Sequence, residues 1–240
     1  MRLVERPSPN HDARPDGARI DMLVLHYTGM KTAEEALARL CDPEAKVSAH
    51  YTIDEAGTVW RHVAEERRAW HAGVSFWAGE ASVNNRSIGI ELVNPGHEFG
   101  YVPFTDRQIA ALIDLADAVV KRHRIPARRV LGHSDVAPGR KTDPGELFPW
   151  QHLADFGIGV WPKKLPPPRG EVGTAKPDRV GGMDAEFALA LSRFGYGVPP
   201  QADAPLESVI AAFQRHFRPS CIDGVADAEC AAILASLPPA

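Results

Sequence analysis

Cysteine is scarce in this sequence: Cys41, Cys221 and Cys230 are the only three in 240 residues. An odd number at irregular spacing excludes a disulfide framework and reads as reduced, packed thiols. Long apolar runs are missing as well, and no window approaches the roughly 20 residues that span a bilayer. Residues Met1 to Gly17 are polar and Pro-rich, without the apolar core of a secretory signal. These absences give a cytoplasmic setting as the expectation, with the periplasm as the alternative if an export signal lies outside this sequence. Basic excess is also lacking. A formal net charge of -4 argues against nucleic acid or a basic membrane-surface role. What is present is an ordinary hydrophobic fraction in a chain long enough for one good-sized domain and a small one.

Local patterns order the chain. The stretch 19–28, built on Met22-Leu23-Val24-Leu25, reads as a first strand ending at His26-Tyr27-Thr28, after an irregular lead-in over 1–18. Thr32 is placed to cap a helix through Leu40. Ser48–Asp54 and Thr58–Val63 flank the turn signal Glu55-Ala56-Gly57, as a hairpin would. Residues 64–86 have no clear period but carry aromatics and amides, a plausible cleft wall. Ser87–Val93 is the next strand. Thr105 opens a second helix with Ile109, Leu112, Leu115, Ala116 and Val119 on one face, ending before Ile125-Pro126. Val130-Leu131 is a short strand, and Phe148–Phe156 a short closing helix. Composition then turns to Pro, Gly and Lys over 161–178, as in a linker. Three helical patterns follow, at Asp184–Phe194, Leu206–Phe217 and Asp227–Leu237.

The segment from Gly132 to Gly145 concentrates His133, Asp135, Arg140, Lys141 and Asp143 among Gly and Pro, so it is a loop that presents ionisable groups. Pro138-Gly139 can fold it back to bring His133 and Asp143 to one spot. His26, at the end of a buried strand, offers a third donor. Two imidazoles and a carboxylate with an open fourth position suit a catalytic zinc ion, which lowers the pKa of bound water to about 7. Glu91 alternates with Ile90 and Leu92, so it faces away from them and could move protons, its pKa raised by burial. Lys141 could set a positive charge where an oxyanion develops. His71, in Trp70-His71-Ala72-Gly73, is the best candidate for a substrate contact. Each has a bland alternative: a solvated histidine, an edge-strand acid, an ordinary surface lysine, a core tryptophan. His11, His97, His123 and His216 read as surface residues, whereas His50 and His62 belong to strands near the cleft.

Taken together, five segments resemble the zinc-dependent N-acetylmuramoyl-L-alanine amidases of the AmpD and AmiD type, relatives of the peptidoglycan recognition proteins. They are Val24–Thr28, Ser48–Ile53, Arg68–Gly73, Asn85–Leu92 and Gly132–Gly145, in the family's order and covering about 19–157. The resemblance implies an α/β fold, a mixed central β-sheet flanked by helices, with a small C-terminal three-helix domain. It implies a catalytic domain over 1–160, a linker over 161–178 and a helical unit over 179–240. It also implies zinc on His26, His133 and Asp143, with Glu91 as acid/base and Lys141 stabilising the tetrahedral intermediate. Trp70, His71, Asn85 and Arg86 fall where members line the substrate cleft. The expected partners are muropeptides, among them 1,6-anhydro forms, cut between the lactyl group of N-acetylmuramic acid and L-alanine, as in cell-wall recycling. One departure concerns phage-type relatives, which carry a tyrosine where this chain has Ala49; the proton transfer is therefore expected of Glu91 alone. The tail segment Ala211–Pro219 with Asp223-Gly224 resembles part of a peptidoglycan-binding helical domain, its alternative being a packing module. A non-catalytic recognition protein is the competing functional class.

Overall fold

The computed structural model of the chain describes residues 2–162 and 181–238. Within them the strands are β1 (Arg2–Glu5), β2 (His11–Ala13), β3 (Met22–Tyr27), β4 (Tyr51–Ile53), β5 (Thr58–Arg61), β6 (Arg67–Ala69), β7 (Ser87–Leu92) and β8 (Val130–Gly132). The helices are α1 (Ala33–Cys41), α2 (Gly96–Phe99), α3 (Asp106–His123), α4 (His133–Val136), α5 (Trp150–Asp155), α6 (Gly181–Phe194), α7 (Leu206–Phe217) and α8 (Ala228–Ser236). The main sheet has the order β1-β5-β4-β7-β3-β8, parallel except at the β4–β5 hairpin. β2 and β6 form a separate antiparallel ribbon.

Strand alternation splits the core into two layers. Leu23 and Leu25 of β3 bury with Ile88, Ile90 and Leu92 of β7 against Leu112, Leu115 and Val119 of α3. Their neighbours Met22 and Val24 face the other way. There they meet Leu131, Val136 and the apolar sides of the C-terminal helices, among them Leu191, Phe213, Phe217 and Ile233. The sheet therefore has helices on both faces, and the C-terminal helices share a continuous core with it.

Capping follows the sequence signals. Thr32 Oγ1 accepts from Glu35 N at 3.2 Å, and Thr105 and Gln108 form a reciprocal box at the start of α3. α3 stops on Arg124, in the left-handed conformation at φ 55°, just ahead of Ile125-Pro126. The three C-terminal helical patterns appear as α6, α7 and α8. The linker expected over 161–178 lies, from residue 163 on, outside the described residues.

The lead-in needs correcting. Residues 1–18 contribute β1, parallel to β5 at the sheet edge, and β2, paired with β6 from the stretch that showed no period. These strands are three or four residues long and mostly polar, too short for alternation to register. No helix among the described residues is long and apolar enough to cross a membrane.

Candidate active site

Three neighbouring parallel strands, β7, β3 and β8, deliver their carboxyl ends to one place. Open sheets of this kind put their ligands there. His26 is the fifth residue of β3, directly in register with Glu91 of β7. His133 begins α4 immediately beyond β8. The loop then returns as expected: Ser134 N donates to the carbonyl of Asp143 at 2.9 Å, which sets the Asp143 side chain beside His133.

His26 Nδ1, His133 Nδ1 and Asp143 Oδ2 stand 3.0 Å from one another, all buried. Their hydrogen-bond partners decide which ring nitrogens carry protons. Ser87 Oγ donates to the Val83 carbonyl at 2.8 Å, so toward His71 Nε2, 3.1 Å away, it acts as acceptor. His71 is then protonated on Nε2, and its bare Nδ1 accepts from His26 Nε2 at 3.0 Å. That leaves a lone pair on His26 Nδ1. His133 Nε2 donates to the Ala72 carbonyl at 3.0 Å, which leaves its Nδ1 bare in the same way. Three acceptors thus converge with no proton between them, an arrangement that a shared cation satisfies. Burial first, and the neighbouring His133 second, lower the pKa of His26 to about 4, so it stays a neutral donor. Metals of the zinc type bind N and O donors at about 2 Å, and three donors this close can share one ion. The set fits a metal.

Gly89 makes room for this chain of imidazoles. A Cβ there would lie 2.5 Å from the His71 ring, so only glycine lets the ring rest against β7. Arg140 Nη2 donates to the carbonyls of Ala72 and Val74, both at 2.6 Å, and so steadies the same carbonyl that holds His133.

Glu91 projects from the β7 face that also carries Ser87 and Gly89. Its Oε2 is sealed from solvent and has no hydrogen-bond partner among the described residues. Burial, followed by the charge of Asp143, raises its pKa to about 8, with Lys141 pulling the other way. A partnerless carboxyl oxygen is costly to bury unless a ligand or water meets it. Lys141 is half-buried on the wall of the same cavity.

That cavity measures about 590 Å³ and is lined by Tyr27, Trp70, His71, Glu91, Lys141 and Asp143 among others. Trp70 and His71 therefore border it, but both ring nitrogens of His71 are engaged behind His26. Asn85 and Arg86, expected in the cleft, do not line it. They precede β7 and so lie at the opposite end of the strand from Glu91. Arg86 pairs with Asp21, and Asn85 Oδ1 accepts from Arg68 Nη1 at 2.7 Å. His216 corrects a further expectation: it is 3% exposed and stacked on Trp150. A helical period through Val209, Phe213 and His216 was the available signal. Ser87, whose part depends on a loop residue reaching it, left none.

The sequence model for N-acetylmuramoyl-L-alanine amidases matches residues 16–146. The amidase AmiD of Escherichia coli (strain K12) is 42% identical over 98% of this chain and 90% of its own length. The solved complex of AmiD with anhydro-N-acetylmuramic acid-L-Ala-D-γ-Glu-L-Lys has a TM-score of 0.78 over 92% of this chain and 90% of that one, at 38% identity. AmpDh3 of Pseudomonas aeruginosa, solved with an anhydromuramic pentapeptide, gives a TM-score of 0.79 over 94% and 95% of the two chains, at 36% identity. The 1,6-anhydro-N-acetylmuramyl-L-alanine amidase AmpD of Enterobacter cloacae is 37% identical over 61% of this chain and 86% of its own.

Proposed function

This chain belongs to the N-acetylmuramoyl-L-alanine amidase family, and from that premise we propose how its own residues cut the amide between N-acetylmuramic acid, or its 1,6-anhydro form, and L-alanine. The observation that carries the reading is the convergence of His26 Nδ1, His133 Nδ1 and Asp143 Oδ2 at 3.0 Å, with Glu91, paired in register with His26, on the wall of the same cavity. His26, His133 and Asp143 would hold zinc, which two imidazoles and a carboxylate suit better than they suit an oxygen-seeking calcium or magnesium ion. A metal there supplies Lewis acidity to the attacking water and the scissile carbonyl.

Everything else falls to the protein. The muramoyl-peptide lies in the cavity against Trp70 with its amide carbonyl toward Lys141. Glu91 takes one proton from the attacking water as the C–O bond forms. Lys141 offsets the negative charge that collects on the carbonyl oxygen. As the C–N bond breaks, Glu91 returns its proton to the leaving nitrogen, and the remaining proton of the attacking water passes from the new carboxyl group to the freed amine, giving the lactyl carboxylate and the ammonium of L-alanine. The dry site that raises the pKa of Glu91 also makes it a strong enough base for the first step and an acid for the second.

Relatives solved with anhydromuramic peptides support wall fragments as the substrate class and recycling as the setting. The three unpaired cysteines, one of them exposed, support a reducing compartment; cell fractionation that finds the chain only in the periplasm would overturn the cytoplasmic placement. The reaction itself is tested by mass spectrometry of a defined anhydro-muropeptide incubated with the protein. Free stem peptide and anhydro-sugar, lost on chelation and restored by zinc, are expected. Cleavage within the stem peptide or the sugar would contradict the reading.

A further inference from the structure

Asp135 sits two residues after His133 on the single turn of α4 and is fully buried. Its Oδ2 accepts from Gly132 N and from His216 Nδ1, both at 2.7 Å, and its Oδ1 accepts from the Tyr196 hydroxyl at 2.6 Å. Two of those three donors come from the C-terminal helical unit: Tyr196 just after α6, His216 in the last turn of α7. Both are themselves fixed. Tyr196 is buried edge-on to Trp77 at 4.9 Å between ring centres, and His216 stacks on Trp150 at 3.8 Å. Gly139, in the same loop, has Ser208 of α7 so close that a Cβ would meet its Oγ at 3.2 Å. Burial and the charge of Asp135 push the Tyr196 pKa up, so its hydroxyl keeps its proton and stays a donor.

Apolar packing alone would hold α6 to α8 on the sheet, since their shared core is large. A buried carboxylate with three directional donors adds something different: it fixes rotation and register, because a small slip leaves a charge unpaired in a dry place. The element so fixed is the one turn that begins with His133. Metal sites need their donors held to within about 0.5 Å, and the groups that orient them matter nearly as much as the ligands.

We propose that Asp135, held by Tyr196 and His216, positions His133 in the metal triad, so that the C-terminal helical unit is a working part of the metal site. The proposal rests on the reading that His26, His133 and Asp143 hold zinc. Tyr196 and His216 do not line the cavity and reach the site only at Asp135, so they are positioning residues acting through it.

The test is zinc affinity of the full-length metal-free protein, measured by competition with a chromophoric chelator, beside its urea-unfolding midpoint without metal. Tyr196→Phe deletes one oxygen. His216→Leu deletes the imidazole donor, and His216→Asn sets an amide nitrogen close to where Nδ1 was. Tyr196→Phe and His216→Leu are each expected to weaken zinc binding by about tenfold or more, with His216→Asn recovering most of it. In the cobalt-loaded protein the visible absorption band should shift in the first two and return in the third. Variants that unfold more easily yet bind zinc as the wild type does would overturn the proposal, leaving a contact that serves folding alone. Should His216→Leu fail to fold, the near-isosteric Tyr196→Phe decides the question by itself. A wild-type chain that takes up no zinc would overturn the metal reading beneath the proposal, an outcome distinct from wild-type affinity in the variants.

Discussion

Glu91 differs from the other acids of the sheet in having one oxygen out of water with nothing to bond to among the described residues, next to a lysine and an aspartate. Replacing it with glutamine keeps the shape and removes the carboxylate that the proposed proton transfer needs. Glu91→Gln should therefore retain the metal and lose about 10²- to 10⁴-fold in kcat, read from turnover of an anhydro-muropeptide beside metal analysis. Wild-type turnover would remove Glu91 from the chemistry. Ser87 acts two links further back, as acceptor for His71 Nε2 and so as the group that keeps His26 Nδ1 bare. Ser87→Ala should lower metal affinity by about tenfold, with the fold intact by circular dichroism; unchanged affinity would mean that the ring tautomers are set elsewhere. The difference in legibility between these two residues has a physical origin. The face on which Glu91 stands could be read from strand alternation, and the return of Asp143 to His133 from Pro138-Gly139 in a segment too rich in Gly and Pro to be helix or strand. His71, Ser87 and Asp135 are placed by contacts between segments distant in sequence, and no local period records those.

At the scale of elements, β7 shows how much depends on one position. Its Ser87, Gly89 and Glu91 share a face, and Gly89 is small because His71 lies on it. Gly89→Ala forces ring and Cβ apart and should destabilise the protein by about 1–3 kcal/mol while loosening His26, visible as a lowered urea midpoint together with weaker metal binding. A second junction is Glu65, which accepts from Tyr51 of β4 at 2.7 Å and from His123 at the end of α3 at 2.6 Å, with Arg122 beside it. Burial would push its pKa up, but Arg122, His123 and Tyr51 together hold it below the usual glutamate value. A carboxyl depressed in the folded state stabilises the fold above its unfolded pKa, and that contribution fades as pH falls through the lower, folded one. Glu65→Gln should thus cost about 2 kcal/mol at pH 7, with the gap to wild type closing below about pH 4. A gap that stays constant down to pH 3 would show that the charge of Glu65 is immaterial. Long helices α3 and α7 were legible from period and caps. β1, β2 and β6 were not, since strands this short are defined by partners found elsewhere in the chain.

The whole molecule is organised about a sheet whose two faces are filled by different parts of the sequence. Composition marked the stretch after Trp161 as a break, and the three helices beyond it were legible one by one. Their attachment was not, because an amphipathic face announces that it will be covered without saying by what. In the structure Met22, Val24, Leu131 and Val136 are covered by Phe213 and its neighbours. We propose on this basis that the segments 1–160 and 179–240 behave as one cooperative unit. Phe213→Ala should lower stability by about 3–5 kcal/mol within a single unfolding transition followed by both circular dichroism and tryptophan fluorescence. Two separated transitions would contradict the shared core.

His26, His133 and Asp143 are expected to meet around one metal ion. The most direct measurement of that meeting is zinc content per chain, by elemental analysis after dialysis against trace metal, for wild type, Asp143→Ala and Glu91→Gln. One zinc per chain in wild type and in Glu91→Gln, with most of it lost from Asp143→Ala, is the expected result. Equal zinc in all three, or none in wild type, would contradict it.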